Sequence, residues 1–197
     1  MQTQKRADKR NERRRRSTRP RPFTYEKLCA MPDDGKRYEI FEGELSEMTP
    51  SPTPRHQDVV LRLLRIMDSY VSATHLGKVY VAPLDVVLND RNVYEPDILF
   101  IARDHLSIIG EKHITAAPDL AVEILSGSGA RDRVKKRRQY QKFGVRHYWI
   151  IDPTERTLEE YVLKSGVYRP GAVLEGDDVF RPAIFRKLEI PLAKIWA

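Results

Sequence analysis

Two carboxylates and a run of cations stand close together in the chain, in a pattern that could hydrolyse a phosphodiester. Asp97 lies in Glu95-Pro96-Asp97-Ile98-Leu99-Phe100-Ile101, and Glu123 in Asp119-Leu120-Ala121-Val122-Glu123-Ile124-Leu125. Each sits in or beside an apolar, strand-like run, where a charge is costly unless a partner or a metal compensates it. A basic segment, Arg131 to Tyr140, follows within one helix length. From it into Phe143, the residues Lys136, Gln139, Tyr140 and Phe143 fall three and four apart and so share one helical face. Carboxylate oxygens suit hard divalent cations such as Mg²⁺ or Mn²⁺. Such a cation lowers the pKa of bound water and offsets charge on a scissile phosphate. A lysine can orient the water or stabilise the transition state. The pattern therefore points to Asp97 and Glu123 as metal ligands, with a lysine of the basic segment completing the site. Plainer readings exist for each part: a strand-end aspartate in water, a glutamate paired with an arginine, a solvated basic face.

The elements that must position these residues read as follows. Phe23 to Met31 predicts a short helix, ended by the turn residues Pro32-Asp33-Asp34-Gly35. Arg37 to Phe41 and Glu44 to Met48 predict a hairpin over Glu42-Gly43. Beyond a Pro-rich loop, Val59, Val60, Leu63, Leu64, Met67, Tyr70 and Val71 mark one face of a helix over Arg55 to His75, ended by Gly77. That face should cover a sheet. Residues 78–101 predict an antiparallel hairpin turning at Asn89-Asp90-Arg91-Asn92, and Asp104 to Ile109 a helical turn. Asp119 to Ser126 is almost wholly apolar, as a central strand covered on both faces would be. Gly127 and Gly129 break it before a helix over Asp132 to Phe143, a buried strand over His147 to Ile151 and a late hairpin over Ser165-Gly166. The order predicts an α/β domain with a mixed sheet.

Composition narrows the classes. At 197 residues the chain suits one domain. No long apolar segment predicts a membrane span, and no apolar stretch follows the N-terminal cations as it would in a secretory signal. The single cysteine, Cys29, rules out an intrachain disulfide and a thiol zinc cluster, and fits a reducing cytoplasm. The net charge of +7 is not a property of the domain, because residues 1–21 hold ten basic and two acidic residues, a charge of +8, and leave −1 for the remainder. That segment predicts a disordered basic tail able to serve as an electrostatic arm for nucleic acid. The boundaries expected are thus a tail over 1–21 and a domain over 22–197.

Residues 37–170 resemble the Uma-two family of restriction endonucleases, which carry the PD-(D/E)xK nuclease core. The resemblance rests on Tyr38 to Leu45, Pro52 to Gln57, Pro96 to Phe100, Ala117 to Ser126, Arg131 to Arg133, Lys136 to Tyr140 and Gly144 to Pro153, in that order and spacing. It implies a restriction-endonuclease-like mixed β-sheet flanked by helices. It also implies Mg²⁺- or Mn²⁺-dependent cleavage of DNA, with Asp97 as the PD aspartate and Glu123 as the second carboxylate. The general motif places its lysine two residues after that glutamate, where this chain has Leu125. The resemblance implies instead a lysine from the next helix, Lys136, with Lys135 as competitor. Glu44 and His56 match further positions that line the site. Gly127 stands where the family often has proline, and Lys135, Arg137 and Arg138 make the helix unusually basic. Two other functions fit the same residues. One is a nucleic-acid-binding protein that keeps the fold without turnover. The other is an assembly module, in which the late hairpin and Leu192, Ile195 and Trp196 serve a homodimer.

Overall fold

The computed structural model describes residues 21–48, 52–126 and 130–196. The expected basic tail, save Arg21, lies outside them, as do residues 49–51 of the Pro-rich loop and residues 127–129 of the glycine loop. The elements are α1 (Tyr25–Cys29), β1 (Tyr38–Phe41), β2 (Glu44–Glu47), α2 (Pro54–Thr74), β3 (Gly77–Val81), β4 (Val86–Asn89), β5 (Asn92–Tyr94) and β6 (Ile98–Ala102). There follow β7 (Leu120–Ile124), α3 (Ala130–Phe143), β8 (His147–Asp152), β9 (Thr157–Lys164), β10 (Val167–Glu175), β11 (Val179–Phe180) and β12 (Ile190–Pro191). Two 3₁₀ turns, Arg103–Ile108 and Leu192–Lys194, complete the set.

A six-stranded sheet in the order β10-β9-β8-β7-β6-β3 forms the body, and a four-stranded sheet in the order β2-β1-β5-β4 stands beside it. Only β7 and β8 run parallel in the large sheet. They are joined by α3, because a parallel pair needs a crossover and a helix is the usual one. The mixed α/β architecture expected from the element order is the one found.

The segment over 78–101 departs from the expected single hairpin. β3 and β6 do pair antiparallel, Val81 with Ile98. Between them, β4 and β5 form their own hairpin and belong to the smaller sheet. Pro83 and Pro96 interrupt the two arms at about the same level, and a proline cannot donate to a ladder, so both arms leave the large sheet there. The break at Pro96 puts Asp97 at the junction between the sheets.

The core divides by face. Helix α2 lays Val59, Leu63, Met67 and Val71 against Ile98, Phe100, Leu120 and Val122. Burial of each such side chain contributes about 1.5–3 kcal/mol over leaving it exposed. Trp149 extends this core to Phe180 and Phe185 in T-shaped contacts. Leu192, Ile195 and Trp196, expected to serve a homodimer, are buried in the same core. The opposite face of the sheet holds an aromatic cluster of Tyr94, Tyr140, Tyr148 and Tyr168 around Ala121 and Ile150. No helix among the described residues is long and apolar enough to cross a membrane.

Candidate active site

Strand β7 fixes the first carboxylate. Side chains alternate along a strand, so Leu120, Val122 and Ile124 enter the core under α2 while Ala121 enters the aromatic cluster. Glu123 lies two residues beyond Ala121 and shares its face, toward α3. Strand β6 fixes the second. It pairs antiparallel with β7, Ile98 opposite Val122, and one step further sets Asp97 across from Glu123. Asp97 Oδ2 accepts a hydrogen bond from the Ile124 amide at 2.7 Å.

Helix α3 supplies the cation. Lys136 and Tyr140 lie one turn apart and both reach Glu123. The Lys136 ammonium stands 3.0 Å from each carboxylate oxygen, and the Tyr140 hydroxyl donates to Oε1 at 2.8 Å. Lys135, the alternative lysine, is exposed. Helix α2 brings His56 through its N-terminus. Thr53 caps the helix by accepting the His56 amide at 3.3 Å, and the His56 ring, buried beneath that cap, sets Nε2 3.3 Å from Asp97 Oδ1. Nδ1 of His56 is buried without a partner.

Asp97, Glu123, Lys136 and His56 thus line one cleft of about 350 Å³ between the two sheets. Glu44, expected to join them, does not. It is exposed on β2 beside the Glu42-Gly43 turn and is absent from the cleft wall. Its hairpin contributes Glu39 instead, from β1. Glu39 is buried, and its Oε1 receives the Lys136 ammonium at 2.8 Å and the Glu95 amide at 3.0 Å. The only sequence signal for Glu39 was a carboxylate in an otherwise apolar strand, in a chain with many carboxylates.

Charge in the cleft is unbalanced. Two carboxylates, Glu123 and Glu39, meet one ammonium, Lys136, while a third, Asp97, faces His56. Burial pushes the Glu123 carboxyl above the ordinary glutamate value, the Lys136 charge pulls it back, and the charges of Asp97 and Glu39 push it up again. The balance is upward. Lys136 stays protonated, since burial opposes its charge but Glu123 and Glu39 more than offset that. For His56 burial likewise opposes the imidazolium, and the hydrogen bond and charge of Asp97 outweigh it, so its pKa is raised.

The two carboxylate donors suit a hard divalent cation. Among the described residues no three His, Cys, Asp or Glu side chains are gathered so as to hold a metal ion. Asp97 and Glu123 offer hard oxygen donors to an open cleft, and the surrounding excess negative charge favours a dication. Mg²⁺ is commonly held this way, by one or two carboxylates with water and substrate phosphate filling the remaining positions.

No curated protein is significantly similar to the chain. The fold is that of the crystal structure of "a putative nuclease belonging to DUF820" from Anabaena variabilis, with a TM-score of 0.72 at 21% identity over 89% of this chain and 98% of that one. The model of the Uma2 family, described as "Putative restriction endonuclease", matches residues 24–193, and the chain belongs to that nuclease family.

Proposed function

We propose that the protein is a metal-dependent endodeoxyribonuclease that hydrolyses phosphodiester bonds of DNA in the cleft between its two sheets. The observation that carries the reading is the meeting of Asp97, Glu123 and Lys136 in one partly buried cleft, although they come from a strand junction, a central strand and a helix. Asp97 and Glu123 would hold the Mg²⁺ or Mn²⁺. Bound there, the ion supplies positive charge to the scissile phosphate and a water of lowered pKa. Lys136, charged and fixed, stabilises the developing negative charge on the phosphoryl oxygens or orients the attacking water. His56 orients the Asp97 carboxylate from the side away from Ile124. The basic segment 1–21 adds a sequence-independent attraction for the DNA backbone.

The test is nicking of supercoiled plasmid by the purified full chain with Mg²⁺ or Mn²⁺, and with EDTA. Supercoiled circles have no ends, so conversion to open circles reports an endonuclease. Cleavage should require the metal and fall by at least about 100-fold in Asp97→Ala and in Glu123→Ala, a loss typical of removing one electrostatic element of a catalytic site. Undiminished cutting by both variants would show that another site, or a contaminant, does the chemistry. Retention of DNA without cleavage under any metal would identify a binding protein that keeps the nuclease fold.

A further inference from the structure

We infer that Glu39 is a positioning residue of this cleft: it shares the Lys136 ammonium with Glu123 and keeps that lysine in place when a divalent cation claims Glu123. The inference rests on the hydrolase reading above. Glu39 comes from β1 of the smaller sheet, whereas Glu123 and Asp97 belong to the larger one and Lys136 to α3. It is 5% exposed. Its Oε1 is fixed by the Glu95 amide at 3.0 Å and meets Lys136 Nζ at 2.8 Å. The carboxylate of Glu95 is itself held by the Arg37 guanidinium on the wall of the cleft. Glu39 is therefore anchored independently of the lysine it contacts.

An ion pair made only for stability would not need Glu39. Lys136 already has a counterion in Glu123, with both carboxylate oxygens in reach. A second buried acid leaves one ammonium between two carboxylates, an excess that costs desolvation without full repayment. The excess makes sense if Glu123 has a second task. A dication entering between Asp97 and Glu123 offsets that excess negative charge. It also competes with the ammonium for the oxygens of Glu123. With Glu39 present, Lys136 keeps a buried counter-charge as Glu123 turns to the metal. Without Glu39, the ammonium must remain on Glu123 or lose its only partner, and it becomes a direct competitor of the cation.

Calorimetric titration of the full chain with Mn²⁺, in the absence of DNA, tests this. Wild type should bind Mn²⁺ in a manner abolished by Asp97→Ala. Glu39→Gln, whose amide oxygen still accepts the Glu95 N–H, should bind Mn²⁺ about tenfold more weakly while melting as wild type does. In a Lys136→Met background the same change should weaken binding by about twofold or less, because neighbouring side chains that act through one another are non-additive. An equal loss in both backgrounds, or wild-type affinity in Glu39→Gln, overturns the role while leaving the hydrolase reading intact. Mn²⁺ binding that is absent, or indifferent to Asp97→Ala, overturns both. Should Lys136→Met not fold, Glu39→Asp decides the matter. It keeps the charge and withdraws it by one methylene, so loss of affinity equal to that of Glu39→Gln supports lysine sharing, and wild-type affinity overturns it.

Discussion

At the scale of residues, the cleft is a set of mutual obligations. Lys136 is the centre, since it alone among the described cations touches both Glu39 and Glu123. Removing one partner from a buried ionic group is far more damaging than the net worth of the group, because the charges left behind are uncompensated. Lys136→Met should therefore lower stability by about 3–5 kcal/mol at neutral pH, read by urea unfolding. The loss should shrink at acid pH, where the stranded carboxylates take up protons. A loss below about 1 kcal/mol at neutral pH would mean that water reaches the carboxylates and that the site is not as closed as the burial indicates. Of the site, Asp97 and Glu123 were legible because a carboxylate in an apolar run is costly and calls for a reason. Lys136 was legible through its helical spacing with Tyr140, though its choice over Lys135 needed the family resemblance and the burial of Lys136. Glu39 was not legible. Its partner Lys136 is 97 positions away on helix α3, and no spacing within its own strand carries that information. His105 shows the same limit, for its ring bonds Asp119 at 2.8 Å at the opposite end of β7 from Glu123, a pairing with no local signature.

At the scale of elements, local patterns served where an element packs by its own periodicity. The apolar spacing of α2 predicted its buried face, and the uniform apolarity of β7 its central place. Both are consequences of a helix or strand burying a fixed set of positions. Sheet membership was less legible. The arms of 78–101 look continuous in hydropathy, and only the missing amide hydrogens of Pro83 and Pro96 reveal that each changes sheet. Gly77 is a second case. Its position suggested a helix terminator, yet the left-handed cap of α2 is His75, with φ of 55°. Gly77 opens β3, and a Cβ there would lie 2.0 Å from the Ile101 carbonyl oxygen. Relief requires backbone movement of β3 away from β6, because the Cβ is fixed rigidly to one main chain and the oxygen it meets belongs to the other. Gly77→Ala should cost about 3 kcal/mol, at the upper end of overpacking penalties. Hydrogen exchange should be accelerated across the β3–β6 ladder before the rest of the sheet. Unchanged protection of the Lys78 and Ile101 amides, which face each other across the ladder, would refute this account of the glycine.

At the scale of the whole molecule, proton and metal equilibria are coupled to folding through the same carboxylate. Burial lifts the Glu123 carboxyl from its ordinary 4.5 to about 7, with Asp97 and Glu39 adding to the lift against the pull of Lys136. A group whose folded pKa is raised stabilises the fold below its unfolded pKa, and that stabilisation is lost as pH rises through the folded pKa. Without metal, the contribution of Glu123 should therefore decline between about pH 4.5 and pH 7. A divalent cation reverses the sign. It binds the ionised carboxylate and displaces the proton, so its affinity rises with pH over that same window. One proton released per ion corresponds to tenfold in affinity, or about 1.4 kcal/mol, per pH unit. At fixed Mn²⁺ well above its Kd, that free energy adds to stability by mass action. In a domain of this size it amounts to about 4 °C in Tm per pH unit. Melting curves with and without Mn²⁺ at successive pH values should thus diverge from pH 5 toward pH 7 and run parallel above it. The divergence should vanish in Asp97→Ala and in Glu123→Gln. A Mn²⁺-induced shift of constant size across the window, or one that survives in Glu123→Gln, would separate the metal from this carboxylate and place its ligands elsewhere on the molecule.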